Sequence, residues 1–379
     1  MATSTPNYLW VVPTSSDLVK NGATAIETLG DSVDASLWNS GYGQAGKNKL
    51  INGDFKINQR NFTSITANGD YGFDRFLQIL SGGTVTSTPQ VFTAGAAPVA
   101  PYEATNYWQM VTSGQSAASD RALVAQRIED VRSLAGQTIT VSFWAKANSG
   151  TPKMAVEVAQ YFGLGGSPSA IVNTYVGQVT LSTSWARYSV TAAIPSISGK
   201  TIGTTAGSSY VQVNLYTSAG TDFNARTGSI GVQNNTFGIW GVQLEYGSYA
   251  TPFQTATGTI QGELSACQRY YYRQSIQATP NRFGSGWNNQ TTAAYILTNF
   301  PATMRTSPTA LEQSGTAGDY SLVTSGTTVT VCSTVPTIDT ANQFQGISIF
   351  TVASGLTAGQ ACLGRPVNTS AFLGWSAEL

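Results

Sequence analysis

Hydrophobic and polar residues alternate with a period of two along most of this chain. The clearest run spans residues 237–245, where Trp240, Val242 and Leu244 fall on one side and small or polar residues fall on the other. Alternation of this kind is typical of a β-strand with one face in a core and the other toward solvent. The pattern therefore predicts a long strand here, with its large apolar side chains on a common face.

The residues that follow this strand predict a joint between two domains. Pro252 ends the extended run, because proline has no amide hydrogen to donate to a ladder. A short helix is predicted from Thr259 to about Cys267, and a second extended run begins at Gln268. We therefore place the main joint of the protein within residues 237–272.

On this pattern the chain is mainly β: a jelly-roll-like β-sandwich, then a smaller C-terminal β-sandwich, with a short N-terminal helical anchor. Residues 47–257 show short alternating runs separated by turns rich in Gly, Ser, Thr and Asn, which indicates a sandwich or jelly roll. Between Asp120 and Leu134 the pattern fits a helix and a strand pair equally well. Residues 258–379 hold a linker helix and a C-terminal β domain, while residues 1–46 are a separate segment.

The N-terminal segment predicts a helix with a narrow apolar stripe. Hydroxyl and acidic side chains at residues 14–17 can cap a helix, and apolar residues then recur at heptad spacing. Such a helix packs on its own domain or docks onto another copy or a larger assembly, and we expect docking. The residues expected to make this contact are Leu9, Trp10, Val19, Ile26, Leu29 and Val33.

Composition narrows the possible partners. The chain carries 19 acidic and 19 basic side chains, and charged residues make up 10% of its length, against about 25% in an average soluble protein. A neutral surface argues against nucleic acid and against anionic membranes, which both select for Lys and Arg. Without a long apolar run or a basic-then-apolar start, neither membrane insertion nor a secretory signal is expected.

Residue counts also restrict the chemistry. The chain has no histidine, which excludes Ser-His-Asp catalysis and His-ligated metal sites. Cys267, Cys332 and Cys362 form no disulfide framework, and buried thiols are expected, although a bridge between the last two stays open. No carboxylate pair is picked out for glycoside hydrolysis, and Asp74 with Arg75 is interpreted as a turn or an ion pair. We therefore expect a protein that is not an enzyme.

A series of short motifs between residues 48 and 272 carries a family resemblance. They are residues 48–55, 58–60, 71–76, 143–147, 160–169, 183–188, 194–197, 241–245, 250–253 and 263–271. Taken in order, they resemble the carbohydrate-binding-module-like domain of bacteriophage tail fibres and minor tail proteins. The stretches 300–305 and 375–379 resemble the small terminal domain that often follows it.

The resemblance implies a virion appendage protein, a tail fibre or spike. Proteins of this kind are usually homotrimers with a jelly-roll sandwich. We expect this chain to be assembled in the host cytoplasm, to bind other virion structural proteins through its N-terminus and to contact host cell-surface polysaccharide. The alternative is a capsid decoration protein (head fibre) or a tail connector with no role in receptor binding.

Two aromatic residues are candidates for glycan binding. Trp144 and Tyr216 fall out of phase with the apolar residues of their predicted strands. An exposed aromatic ring presents a flat apolar face with a polar tip, which suits the apolar face of a sugar. The alternative is that neighbouring domains or subunits cover these rings, which would then be packing residues.

Two acidic residues are candidate calcium ligands. The resemblance implies this role, because jelly-roll carbohydrate modules often hold a structural calcium where their first and last strands meet. Asp54 follows the Asn52-Gly53 turn, and Glu245 ends the long strand predicted above. The alternative places Glu245 on a solvated face and makes Asp54 a turn cap. No other cofactor is expected.

Overall fold

A computed structural model of the chain describes residues 3–4, 10–12, 21–40, 45–99, 102–275, 281–324 and 328–379. Its N-terminal part has two short antiparallel strands and a helix: β1 (Thr3–Ser4), β2 (Val11–Val12) and α1 (Gly22–Ser40). The predicted N-terminal helix is thus present. None of the helices among the described residues is both long and apolar enough to span a bilayer.

The first sandwich consists of two five-stranded antiparallel sheets. Sheet I has the order β10-β7-β12-β5-β4 and sheet II the order β3-β6-β11-β8-β9. From β6 to β12 the chain crosses repeatedly between the sheets, as in a jelly roll. The strands are β3 (Phe76–Ser81), β4 (Thr84–Val91), β5 (Asn106–Ser113), β6 (Arg121–Glu129), β7 (Thr138–Ala147), β8 (Lys153–Tyr161), β9 (Val172–Thr180), β10 (Ala186–Ala193), β11 (Tyr210–Ala219) and β12 (Thr236–Tyr246).

The core of this sandwich lies between the two sheets. Val141 and Phe143 of sheet I belong to the same buried cluster as Val156 and Val213 of sheet II. Along each of these strands, core residues alternate with residues on the opposite face, as expected for a strand that faces the core on one side. The ambiguous stretch after Asp120 forms strand β6 rather than a helix.

A β-bulge in β12 changes the predicted face of Trp240. Trp240 pairs with Trp144 and Leu244 pairs with Val141, with the register shifting between Trp240 and Gln243. Because Trp144 and Val141 are three residues apart in β7, Trp240 and Leu244 lie on opposite faces of sheet I. The expectation of a common face is therefore wrong.

A helix links the two sandwiches where the sequence predicts one. Helix α2 (Asn224–Thr227) belongs to the first sandwich, and helix α3 (Ile260–Gln268) follows β12. Thr259 caps α3 by accepting a hydrogen bond from the Gly262 amide. The buried carboxylate of Glu263 accepts hydrogen bonds from the amides of Asn52 and Thr257, both 2.7 Å long, which holds the helix against the first sandwich.

The second sandwich has a three-stranded sheet, β13-β22-β16, and a seven-stranded sheet, β18-β17-β21-β14-β15-β20-β19. Its buried cluster includes Leu373 from the small sheet and Ile296, Leu322 and Phe350 from the large one. The strands are β13 (Tyr271–Ser275), β14 (Gly284–Asn288), β15 (Ala293–Asn299), β16 (Ala310–Glu312), β17 (Tyr320–Thr324), β18 (Thr328–Val331), β19 (Thr337–Ala341), β20 (Gln345–Thr351), β21 (Ala361–Pro366) and β22 (Phe372–Ser376).

Arginine contacts join the two sandwiches. Arg75 of the first sandwich is 1% exposed; it forms an ion pair with Glu378, and its guanidinium lies 3.4 Å from the centroid of the Tyr270 ring. Arg269 binds the carboxylate of Glu129 through two hydrogen bonds of 2.8 Å. These contacts surround the predicted joint, so the two sandwiches meet through charged and aromatic groups.

Candidate functional site: a groove on the outer face of sheet II

The outer face of sheet II is more polar than its inner face. Along β11, Val213 and Leu215 lie in the core, so Gln212, Asn214 and Tyr216 lie on the opposite face. The strands on either side place further side chains on that face by their register. Those paired with β11 are Leu123, Ala125, Arg127 and Glu129 from β6 and Ala155, Glu157, Ala159 and Tyr161 from β8.

A groove runs along this face and continues to the second sandwich. It consists of two cavities of about 240 and 400 Å³ that share Arg127 and Tyr161 as lining residues. The alanines at positions 125, 155 and 159 keep side chains short along this face of the sheet. Arg305 and Leu379 belong to the second domain, and they line the larger cavity.

Two tyrosines and an arginine form a stack in the groove. The rings of Tyr161 and Tyr210 are stacked, with centroids 4.4 Å apart, and the Arg127 guanidinium lies 5.0 Å from the Tyr210 centroid. Arg127 also donates a 3.0 Å hydrogen bond to the Gln212 side chain. Burial raises the pKa of Tyr210, so this phenol stays neutral. The arrangement places aromatic rings beside a guanidinium that is held by a hydrogen bond.

A buried carboxylate organises the other end of the groove. Glu157 is fully buried and receives hydrogen bonds of 2.7 and 2.9 Å from Arg226, 2.8 Å from the Tyr216 hydroxyl and 3.1 Å from the Asn214 amide. Burial lowers the pKa of Arg226, but its hydrogen bonds to Glu157 and the nearby charges raise it above the ordinary value. The carboxylate is thus neutralised by a fixed cation.

Tyr216, predicted as a glycan-binding residue, lies on the outer face as its phase indicates. However, its side chain is 0% exposed, because Phe223 packs beside it with a centroid distance of 6.4 Å. Burial and the charge of Glu157 raise the pKa of its hydroxyl. Tyr216 lines the smaller cavity without presenting a ring face to solvent, so the expectation of an exposed ring is wrong.

Trp144, the other aromatic candidate, is 8% exposed on the outer face of sheet I. Its ring packs against Trp240 at 5.1 Å and Phe253 at 6.1 Å. The Arg187 guanidinium lies 4.8 Å from the ring centroid. The expected exposure is wrong here too, because the chain after β12 folds back over this face, and the packing interpretation fits.

The two predicted calcium ligands have different partners. Asp54 is 1% exposed and accepts a 2.5 Å hydrogen bond from Tyr102, whereas Glu245 accepts hydrogen bonds of 2.8 and 2.7 Å from the amide and hydroxyl of Thr251. Gln243 donates a further one to Glu245. Within the described part of the chain, no three acidic or cysteine side chains cluster as metal ligands. Protein donors already occupy the carboxylate of Glu245, so Glu245 does not fit a calcium site. Asp54 keeps one buried carboxylate oxygen without a hydrogen-bond partner, and its role as a calcium ligand stays a prediction.

The described residues of the predicted attachment stripe lie on or near α1. Ile26 is 65% exposed, and Leu29 and Val33 are partly exposed on the same helix. Trp10 is half-buried beside β2. Leu9 and Val19 lie outside the described residues, and the attachment role of the stripe stays a prediction.

The main groove residues are not among the site residues predicted from the sequence, although the strand pattern contains a signal for them. Tyr161 continues the polar face of β8 that Glu157 marks, and Tyr210 starts the polar face of β11. Tyr216 is selected because it is an aromatic residue on the polar face of its strand, and Tyr161 and Tyr210 meet the same criterion. What the sequence could not provide is the pairing of β8 with β11, which stacks the two rings.

Comparisons with known proteins found similarity to solved structures. No family model and no curated protein matches the sequence. Among solved structures, the chain resembles the enzymatically active domain of tailspike protein 4 from bacteriophage CBA120, with 12% identity, a TM-score of 0.29 and coverage of 53% of this chain and 21% of that chain. The chain therefore spans about a fifth of that tailspike domain.

Carbohydrate-binding modules are also among the similar structures. The CBM22-1 xylan-binding domain from Paenibacillus barcinonensis Xyn10C is 11% identical, with a TM-score of 0.29 and coverage of 55% of this chain and 99% of that one. The family 11 module from Clostridium thermocellum is 8% identical, with a TM-score of 0.29 and coverage of 48% and 95%. Identities and TM-scores this low do not assign a ligand or a function.

Proposed function

We propose that this chain is a structural component of a bacteriophage appendage that holds a host surface glycan in the groove of sheet II. The motifs between residues 48 and 272, which resemble those of tail-fibre proteins, support the virion part of the proposal. The groove supports the glycan part. In this function the protein binds without breaking bonds, and it assembles as a homotrimer attached to other virion proteins.

The observation that best supports glycan binding is the stack formed by Tyr161, Tyr210 and Arg127. Aromatic rings pack against the apolar faces of sugars, while amides and guanidinium groups bind their hydroxyl groups. Gln212 lies on the same face and accepts the hydrogen bond from Arg127, which holds the guanidinium beside the stack. A trimer would present three such grooves, and their simultaneous contacts would make weak individual sites bind strongly.

A glycan array tests this function. Purified protein is applied to an array of bacterial capsular polysaccharides and O-antigens, and the variant Tyr161→Ala is applied in parallel. We expect the variant to lose affinity by on the order of tenfold, because it removes a stacking face at the centre of the site.

The matched control is Tyr249→Ala, because Tyr249 is 81% exposed and does not line the groove. It should bind like the unaltered protein. If no glycan is retained, or if Tyr161→Ala and Tyr249→Ala bind alike, the groove does not have the proposed function. Circular dichroism checks that both variants fold.

A further inference from the structure

The groove has an unusual charge for this chain. Its lining includes four arginines, and among the described residues that line it there is no aspartate, glutamate or lysine. The chain as a whole has equal numbers of acidic and basic side chains. From this imbalance we infer that the groove selects an anionic glycan, one whose sugars carry carboxylate or sulfate groups. The inference rests on the proposed function, because it names the class of glycan that the groove binds.

Arg121 is the clearest free cation in the groove. Its guanidinium lies 5.0 Å from the centroid of the Phe223 ring, and its Nε is buried without a hydrogen-bond partner. No ion pair to Arg121 occurs within the described ranges. A guanidinium held in place with unused donors suits an oxyanion, which can accept two parallel hydrogen bonds from it.

Among the described residues, Arg127 and Arg305 also bond to a neutral side chain or to main-chain oxygens. Arg127 donates to the Gln212 side chain and to the main-chain oxygen of Leu379. Arg305 donates to the main-chain oxygens of Gly207, Ala377 and Glu378. Neither has a carboxylate side chain as a hydrogen-bond partner among the described residues, so their charges are only partly compensated.

The acidic groups close to the groove are already engaged. Glu157 is bound by Arg226 as described above, Glu129 by Arg269, and Glu378 by Arg75. Glu157 offsets one of the four groove arginines, Arg226, and no described side chain supplies a carboxylate hydrogen-bond partner to the other three. An acidic sugar would meet no uncompensated carboxylate there, and partial burial would weaken the screening of its attraction by salt.

Arginine variants on the same array test the inference. Polygalacturonate and its carboxyl-reduced form serve as a carboxylate pair, and dextran sulfate and dextran as a sulfate pair. We expect the retained glycans to be acidic and their binding to weaken with added salt. Arg121→Gln and Arg127→Gln should each lower affinity for them by about tenfold, since a hydrogen bond to a charged group is lost.

Arg132→Gln is the matched control. It removes one positive charge from a side chain that is 62% exposed, paired with Asp130 and absent from the groove lining. It should leave binding unchanged. Denaturant unfolding confirms that the groove variants remain folded.

The outcomes separate the inference from the proposed function. One outcome is that neutral glycans are retained and that Tyr161→Ala loses binding while the arginine variants do not. This outcome would overturn the selection for anionic glycans but would leave the glycan-binding function of the groove in place. Retention of no glycan would overturn both. Preference for one of the two matched pairs identifies the anionic group.

Discussion

At the scale of single residues, Gly241 determines how β12 is built. Its φ is +63°, and a β-carbon at this position would lie 2.8 Å from the Trp144 ring. The left-handed conformation allows the bulge, and the bulge turns Trp240 onto the face where Trp144 lies. One glycine therefore places the Trp240 ring beside Trp144 on the outer face of sheet I.

Replacing this glycine should destabilise the first sandwich more than its conformation alone predicts. The left-handed conformation costs a non-glycine residue about 1–2 kcal/mol, and the clash with Trp144 should add about 1–3 kcal/mol. We therefore expect Gly241→Ala to lower the melting temperature in a thermal unfolding experiment.

Gly231→Ala is the control, because Gly231 has a φ of +78° and no atom within 4 Å of an added β-carbon. Gly231→Ala should lower the melting temperature only by the amount that corresponds to the cost of the left-handed conformation. Equal losses in the two variants would mean that the contact with Trp144 has no energetic role.

At the scale of secondary structure elements, helix α1 bears the predicted attachment stripe. Ile26 is largely exposed on this helix, with Leu29 and Val33 near it in the heptad pattern. An exposed apolar stripe of two heptads is too short to stabilise a coiled coil alone. In the proposed virion role, burial against another copy or against another virion protein would supply the missing contacts.

Removing the stripe should therefore reduce incorporation into particles and leave the fold unchanged. We expect the double variant Ile26→Ser and Leu29→Ser to be depleted from purified virions in a quantitative immunoblot, with the melting temperature of the isolated protein unaltered. Glu27→Ser, on the same exposed turn, should be incorporated normally. Wild-type occupancy of the double variant would contradict an attachment role for α1.

Most elements could be predicted from the sequence, but their contacts could not. Helix α3 and strands β12, β15 and β20 follow from capping and alternation, which are local properties. The groove depends on which strands pair, and on loops that return from distant parts of the chain. Tyr216 is an example. Its position in the alternating pattern indicates on which face of sheet II it lies, but its burial depends on Phe223, which follows the strand.

At the scale of the whole molecule, buried ion pairs and hydrogen bonds join the two sandwiches. Arg75 and Glu378 are 1% and 7% exposed at their side chains, and Arg60 also lies 3.5 Å from Glu378. Gln59 adds a 2.7 Å hydrogen bond to the main-chain oxygen of Tyr271. With so few charged residues in the chain, their concentration here indicates that docking of the sandwiches depends on them.

Loss of Arg75 should uncouple the two sandwiches. Removing one partner of a buried ion pair leaves the other charge uncompensated, at a cost of about 3 kcal/mol. For Arg75→Met, differential scanning calorimetry should resolve two transitions where the unaltered protein gives one. Arg282→Met, at an exposed position, should keep the single transition. A single transition in Arg75→Met at an unchanged temperature would show that the joint does not couple them.

The larger cavity is lined by residues of both domains, so it can form only after both have been synthesised. The first domain leaves the ribosome before the second and can begin to fold while the rest of the chain is being made. At that stage Tyr161 and Tyr210 are present, but Arg305 and Leu379, which line the same cavity, are not. A nascent chain thus has an incomplete groove, and the glycan binding proposed above becomes possible only after translation has passed Arg305 and Leu379.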